Sequence, residues 1–163
     1  TRPINPLVHV IMEALQFDAL GELLTGIVLM IIASMKLGIS YTVGSVLLMI
    51  LAFIFGTVIY SAIKIAGAAL ALWIKSSGSI LQVLYMSSDF AKYPVTIYNG
   101  AVRNIITYIL PFAFTAYYPA SYILRGNNPW FCFGAGTVIA TVLLTLSVLL
   151  WNKGINAYES AGS

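Results

Sequence analysis

Two long apolar runs without a charged residue stand out along the chain. The first has its apolar core over residues 43–63 and the second over residues 130–151. Each core supplies roughly the 20 residues that a helix needs to cross the hydrocarbon of a bilayer. The pattern therefore predicts two membrane-spanning helices, separated by a more mixed stretch of chain.

Two further segments are long enough to span, although each carries an interruption. Residues 23–39 contain Lys36 near one end, where its stem can lie in hydrocarbon while its ammonium reaches the headgroups. Residues 104–124 are uncharged but contain Pro111 and Pro119. We therefore predict four spans. They are predicted to be helices, because the bilayer offers the backbone no partner and these runs lack the alternation of a membrane barrel.

Composition and charge agree with an all-α, polytopic membrane helical bundle. Of the 163 residues, 60% are hydrophobic and 8% are charged, whereas an ordinary soluble domain has about 25% charged residues. Positive residues concentrate on the cytoplasmic side of membrane proteins. With the start of the chain inside, Lys36 and Arg125 face outwards. The residues facing the cytoplasm are then Arg2, Lys64, Lys75, Lys92, Arg103 and Lys153. Both ends of the chain are therefore predicted to be cytoplasmic.

The first twenty residues read as an amphipathic helix rather than a span. Over residues 6–20, Leu7, Ile11 and Leu15 share one helical face, while His9 and Glu13 lie on the other. Pro6 suits the first turn of such a helix. The spacing leaves two alternatives open: a helix resting on the membrane surface, or a docking helix for a cytosolic partner. We accordingly divide the chain into residues 1–20 and a transmembrane domain of residues 21–163.

The second non-spanning region covers residues 64–103. Residues 65–74 either prolong the preceding helix or lie at the interface, and residues 76–79 are expected to interrupt the helical pattern. Pro94 disfavours helix at Tyr93, so a turn is expected there. Lys92 and Arg103 flank this part, as expected for a segment held against anionic headgroups.

The span over residues 104–124 has the least ordinary sequence. Pro111 removes a helical hydrogen bond and clashes with the carbonyl of Thr107. Tyr117, Tyr118 and Tyr122 surround Pro119, so residues 120–130 are expected to fold along the outer surface. One interpretation is a kink with ordinary interfacial aromatics. The other is a mobile gate or substrate-facing wall formed by Pro111, Tyr117, Tyr118 and Pro119.

The sequence contains no recognisable catalytic constellation. None of the five acidic residues lies in the middle of a span, and no phosphate-binding glycine loop is present. Cys132 is expected to serve packing, and His9 has no second histidine or cysteine with which to share a metal. The chain is therefore predicted to be neither an ATPase nor proton-coupled, so energy for transport would come from a partner.

Three stretches of sequence together resemble an ABC-2-type permease of the viologen-exporter-like branch. They are RPINPLVHVIMEALQFDALGELLTG near the start, KYPVTIYNGAVRNIITYILPFAFTAYYPASYILRG in the middle, and YESAGS at the end. The resemblance covers residues 2–163. Its most specific matches are Tyr93, Pro94, residues 111–119, Tyr158, Ser160, Ala161 and Ser163.

The resemblance implies a partnership that the residues alone do not. Such permeases are six-span subunits that pair with a second permease, identical or different, and with two copies of an ATP-binding subunit. ATP and Mg²⁺ belong to that subunit, and this chain would bind no cofactor of its own. Lipid is the other expected partner, and nucleic acid is not. The resemblance further implies export by alternating access in a bacterial plasma membrane.

Within this family, the helix before the third span contacts the ATPase. The resemblance assigns that coupling role to residues 6–20 and their junction with the first span here. The residues concerned are Pro6, His9, Glu13, Phe17, Asp18 and Glu22. The four spans would then be the third to sixth, with the first two missing, in agreement with the absent initiator methionine.

Two other classes of function compete with transport. A membrane scaffold could recruit a cytosolic protein through the first helix without moving any cargo. A lipid-acting membrane enzyme would need a polar catalytic pair near an interface, for which His9 and Glu13 offer the only candidates. For a transporter, the uncharged spans favour apolar, amphipathic or aromatic-cation cargo.

Overall fold

The computed structural model describes residues 18–73 and 77–161. This part of the chain contains helices and turns and no strand. The α-helices are α1 (Asp18–Leu37), α2 (Val43–Trp73), α3 (Ser77–Ser87), α4 (Gly100–Asn104), α5 (Tyr117–Arg125) and α6 (Gly136–Ala161). Three helical stretches are long and apolar enough to cross a membrane: Leu20–Leu37, Val43–Leu72 and Trp130–Asn156. The prediction of an all-α membrane bundle is confirmed.

Helix α1 belongs to the first of two compact units, Thr1–Tyr41 and Thr42–Ser163. It is apolar on all sides, as expected for a helix in contact with lipid or other spans. It ends at Gly38, whose φ of +62° allows the amide of Ile39 to donate to the carbonyl of Ser34 at 3.1 Å. The predicted domain boundary between residues 20 and 21 falls inside this helix, and the division remains a prediction.

Helices α2 and α6 form the centre of the second unit and run parallel. Gly136 lies against Phe55, the Ser147 hydroxyl donates to the carbonyl of Ala62, and Gly154 lies against Leu72. The residue numbers rise together along both helices, over a length of about 26 Å. Because parallel neighbours point the same way, the chain between them must travel back over that length.

Small residues bring these two helices close together. A Cβ atom on Gly154 would lie 3.3 Å from the Ala69 carbonyl oxygen. Midway along the pair, the Ser147 hydroxyl is 2.7 Å from the Ala62 carbonyl oxygen and 2.7 Å from that of Leu143 in its own helix. Since lipid gives no hydrophobic drive for helices to associate, close packing and such hydrogen bonds must hold the pair.

We call Ser77–Arg125 the return segment, because it leads back from the end of α2 to the start of α6. It consists of short pieces: α3, a 3-10 helix Ser88–Lys92, a second one Val95–Ile97, and α4 with a π turn Ile105–Ile109. After an irregular point at Pro111, a 3-10 helix Phe112–Phe114 leads to α5. The predicted span over residues 104–124 is therefore not one continuous helix, and the fourth membrane crossing remains a prediction.

One buried apolar core joins the return segment to the helix pair. It takes side chains from α2, from Phe112–Phe114, from the π turn Trp130–Ala135 that precedes α6, and from α6 itself. Its buried members are Ala52, Phe55, Ile59, Ile63, Phe112, Phe114, Cys132, Phe133 and Ala140. Cys132 is only 1% exposed, so its predicted packing role is confirmed.

Several local predictions can be compared directly with the backbone. Helix α2 runs on to Trp73, so residues after 64 prolong it, which was one of the two alternatives. Tyr93 is extended, with φ −118° and ψ 150°, as its position before Pro94 requires. Helix α2 ends at Trp73 and a separate helix α3 begins at Ser77, so residues 77–79 of the interruption expected at 76–79 are helical, and Ser76 lies outside the described residues. Serine is favourable at the start of a helix, which explains the difference.

The contact between Gly136 and Phe55 gives a test of the helix pair. A Cβ on Gly136 would lie 2.7 Å from the Phe55 ring, which is only 2% exposed and cannot move freely. We expect Gly136→Ala to destabilise the protein by about 1–3 kcal/mol through overpacking. Thermal unfolding of the detergent-solubilised chain would measure this.

Gly134→Ala is the matched control, since its added Cβ would lie 3.8 Å from the nearest atom of Trp130. That distance is ordinary contact, so the control should leave the melting temperature unchanged or raise it slightly. Equal effects of the two substitutions would contradict the packing described here.

Candidate functional site: the proline break

The return segment loses regular helical structure at Pro111. The amide of Leu110 donates to the carbonyl of Ile105 at 2.8 Å, five residues earlier, which closes a π turn. Leu110 (φ −114°, ψ 81°) and Pro111 (φ −70°, ψ 50°) are both non-helical. Proline has no N–H, and its ring clashes with the carbonyl four residues back, so the helix cannot continue. We call residues 110–116 the proline break.

The break is buried although its backbone is irregular. Pro111, Phe112, Ala113 and Phe114 are all inaccessible. Irregular backbone at membrane depth is tolerated where it is buried in protein or lines a cavity. The position of these four residues therefore agrees with a place inside the bundle rather than in contact with lipid.

Helix α2 supports the break at two neighbouring turns. A Cβ on Gly56 would lie 3.4 Å from the Thr115 carbonyl oxygen and 3.6 Å from the Thr115 Cα, so the two backbones approach closely there. One turn further along, the rings of Tyr60 and Phe112 lie 5.3 Å apart. The break thus rests directly on the rigid helix pair.

Four aromatic rings connect the break to the start of the last helix. We call them the Tyr118 cluster: Phe114, Tyr117, Tyr118 and Phe131. Tyr118 is the common member, with ring centroids 4.6 Å from Phe114, 5.3 Å from Tyr117 and 5.1 Å from Phe131. Aromatic pairs of this kind contribute about 0.5–1.5 kcal/mol each beyond their buried area. The cluster therefore ties α5 to the π turn before α6.

The predicted gate residues come together here in part. Tyr117 and Tyr118 are half-buried and pack on each other, so they are not simply aromatics facing an interface. Pro119 is buried in the first turn of α5, where no helical hydrogen bond needs its N–H, and it starts that helix rather than bending it. Pro111 alone breaks the chain. A gating role for these residues remains a prediction.

The polar groups of the break are neutral oxygens. Thr115 donates to the carbonyl of Phe112 at 2.7 Å, and Ser121 donates to that of Tyr118 at 2.7 Å. The hydroxyl of Thr107 is buried and makes no hydrogen bond to any described residue. No ionisable residue apart from tyrosine lies between residues 104 and 124. The break can thus move or bind neutral groups, but its side chains are unsuited to acid–base catalysis near neutral pH.

Most predicted coupling residues lie outside the described part of the chain, namely Pro6, His9, Glu13 and Phe17. Asp18 and Glu22 are in the first turns of α1, and Glu22 is exposed. Their coupling role remains a prediction. Across residues 18–73 and 77–161, no three His, Cys, Asp or Glu side chains are grouped as metal ligands would be.

Gly56, Tyr60, Thr107 and Phe131 belong to the site but were not predicted from the sequence. Gly56 and Tyr60 sit in an apolar run that gives no sign of which face meets the break. Thr107 could have been predicted, because it lies four residues before Pro111 and proline has no N–H to donate to the Thr107 carbonyl. From the sequence, Phe131 could not be distinguished from the other apolar residues at the start of the span.

Comparison with known proteins gives one match. The family model described as ABC-2 family transporter protein matches residues 1–162. No curated protein and no solved structure matches the chain. The match covers both the helix pair and the proline break.

The approach at Gly56 predicts a graded response to side-chain size. Gly56→Ala should be tolerated, because its Cβ would meet Thr115 at about ordinary contact distance. Gly56→Leu should separate α2 from the break and cost about 1–3 kcal/mol. Thermal unfolding would register the difference.

Gly44→Leu is the control for the larger substitution. The nearest atom to a Cβ on Gly44 would be the Thr42 hydroxyl oxygen, at 3.9 Å, so a longer side chain has room there. A similar loss of stability for Gly44→Leu and Gly56→Leu would argue against a specific contact at Gly56.

Proposed function

Since the chain belongs to the ABC-2 family of transporter proteins, we propose that it is the membrane-spanning permease subunit of an ATP-driven exporter. A separate ATP-binding subunit, carrying ATP and Mg²⁺, would supply the energy. The family match over residues 1–162 is the observation that carries this proposal. The lack of charged side chains in the middle of the predicted spans favours apolar, amphipathic or aromatic-cation cargo.

The parallel helix pair supports four membrane crossings. If α2 and α6 cross in the same direction, the return segment must cross in the opposite one, and α1 adds the fourth. Lys153 precedes Gly154, at the end of the pair where Gly154 lies against Leu72. The positive-inside rule then makes this end cytoplasmic. The C-terminus would be inside, and Arg125 would lie towards the outside.

The proposed mechanism is alternating access driven from the cytoplasm. Closure of two ATP-binding subunits would move the helix of residues 6–20, and the packed spans would carry the motion outwards. Such coupling requires an element with two arrangements that both sites bias. The proline break, with the neighbouring Tyr117 and Tyr118, is our candidate. Its short helical pieces can exchange hydrogen bonds at less cost than the continuous α2 and α6.

Two partners follow from the same proposal. The ATP-binding subunit would dock on the helix that includes His9 and Glu13, and a second permease, identical or different, would complete the pathway. A transport function differs from a scaffold because its cargo changes the rate of ATP turnover. It differs from a lipid-acting enzyme because its complex contains an ATPase.

Purification of the full-length protein in mild detergent tests the partnership. We expect a stoichiometric ATP-binding subunit to copurify, and His9→Ala with Glu13→Ala to weaken its retention. Lys36→Gln is the control, because that residue is predicted on the outer side and should leave retention unchanged. A well-folded preparation without any ATPase would refute the proposal and favour the scaffold or the enzyme.

Pro111→Ala tests the proline break as the moving element. Alanine restores an N–H, so the π turn could extend as helix and the two arrangements would no longer balance. Substitutions along a coupled element change coupling by about 0.5–2 kcal/mol, or about two- to thirtyfold. We expect ATP turnover of the reconstituted complex to change by a factor in that range, with assembly preserved.

Pro119→Ala is the matched control for this substitution. Pro119 is also buried, but it starts α5 and breaks no helix. It should therefore leave ATP turnover close to that of the unmodified protein. Unchanged turnover for Pro111→Ala, with normal assembly, would remove the break from the mechanism.

A further inference from the structure

The hydroxyl of Thr107 differs from those of other helical threonines and serines. In a regular helix this side chain commonly donates to the carbonyl four residues earlier. Examples at 2.6 to 2.9 Å are Thr57, Ser87, Thr137, Thr141 and Thr145. Thr107 lies in a π turn instead. It is 3% exposed, and its hydroxyl has no hydrogen-bond partner among the described residues.

Backbone acceptors beside Thr107 also lack their helical donors. The last carbonyl groups of a helix need partners from outside it. The amide of Leu110 donates to Ile105, that of Phe112 to Leu110 at 2.5 Å, and that of Phe114 to Pro111 at 3.1 Å. In a π register the carbonyl of Ile106 would accept from residue 111, which is proline and has no N–H. Acceptors are thus freed at the point where the Thr107 hydroxyl is buried.

A second hydroxyl approaches the same place from α5. The Tyr118 ring packs against the cluster that contains Ile106 and Ala113, and its hydroxyl lies within reach of the neighbouring Thr107 side chain. The two hydroxyl groups nevertheless do not meet in the geometry of a direct hydrogen bond. Buried polar groups that lack a protein partner are commonly satisfied by ordered water.

We propose that a binding site for one water molecule lies beside the proline break, where the water bridges the hydroxyl groups of Thr107 and Tyr118. A freed carbonyl oxygen of the π turn is its third partner. Buried waters typically make about three hydrogen bonds to groups that would otherwise be unsatisfied. In membrane proteins, ordered water also satisfies backbone groups that a proline releases. The site explains why a polar side chain is buried between Ile106 and the apolar residues of the break.

Thermal unfolding of Thr107→Val in the full chain distinguishes this site from an unpaired hydroxyl. Valine keeps the shape of threonine and removes the hydroxyl. If water links the two side chains, the substitution removes one of the three partners of the water, and the melting temperature falls by about 2–4 °C. If the hydroxyl is simply buried and unpaired, its removal raises the melting temperature, and the proposal is wrong. Thr107→Ser keeps the hydroxyl and should retain the water.

A double-mutant cycle tests the bridge itself. Tyr118→Phe keeps the ring in its cluster and removes only the hydroxyl. Because both side chains bind one water, the combined variant should lose less stability than the sum of the two single losses. Additive losses would overturn the proposal. Thr141→Val is the control, since its exposed hydroxyl bonds within its own helix and should add independently.

Radiolytic labelling in H₂¹⁸O gives a readout that a purely structural change would not mimic. A water held beside Tyr118 is activated in place, so ¹⁸O should be incorporated into that residue. We expect incorporation in the unmodified protein and in Thr107→Ser, and a clear loss in Thr107→Val. Equal incorporation in all three proteins would show that Thr107 holds no water there.

Discussion

The parallel packing of α2 and α6 is the constraint on which the rest of the second unit depends. Gly136 and Gly154 bring the two helices together near the two ends of the pair. Between these two glycines, the Ser147 hydroxyl donates to the Ala62 carbonyl of the other helix. Two parallel helices cannot be joined by a tight turn. The chain must come back along the pair, and the described part of the return segment does so without a long helix.

The proline break follows from what that return requires. A straight helix from residue 100 onwards would keep its direction and could not fold its aromatic side chains over α2. At Pro111 the chain turns, Phe112 meets Tyr60, and Thr115 lies against Gly56. Where helical hydrogen bonds are lost, Phe112 and Phe114 gain close packing contacts in the main core. A Cβ on Gly56 would already be in contact with Thr115, so only a small residue at this position suits the break.

The long spans could be predicted from the sequence because length and lack of charge are sufficient evidence for them. The same evidence could not find the parallel pair. In a soluble protein the apolar face of a helix points to its neighbour, but α1 is apolar on every side, as lipid permits. Residues 104–124 show the same weakness. Their composition suits a span, yet it does not distinguish one helix from several short pieces, and only Pro111 indicated the break.

The site was predicted for its prolines and tyrosines, but not for the contacts that position them. From the sequence, Tyr117 and Tyr118 look like interfacial aromatics, and only the structure shows that both are half-buried and that Tyr118 packs against Phe131. Thr107 could have been recognised from its distance to Pro111. The lack of a hydrogen-bond partner for its hydroxyl could not have been predicted. A threonine hydroxyl donates to the carbonyl four residues earlier in an α turn, and the sequence does not show that this turn is π.

Two π turns flank the part of the chain that contains the proline break and α5. Ile105–Ile109 precedes the break and Trp130–Ala135 follows α5, so both ends of this part of the chain carry a widened helical turn. A π turn can become an α turn when its hydrogen bonds shift by one residue. A rearrangement of α2 against α6 would instead have to separate the glycines of α6 from the α2 side chains packed on them. Movement of α5 between its two π turns would therefore leave the helix pair intact. Under the proposed alternating-access mechanism, the helix pair would stay fixed and the connection between its helices would adjust.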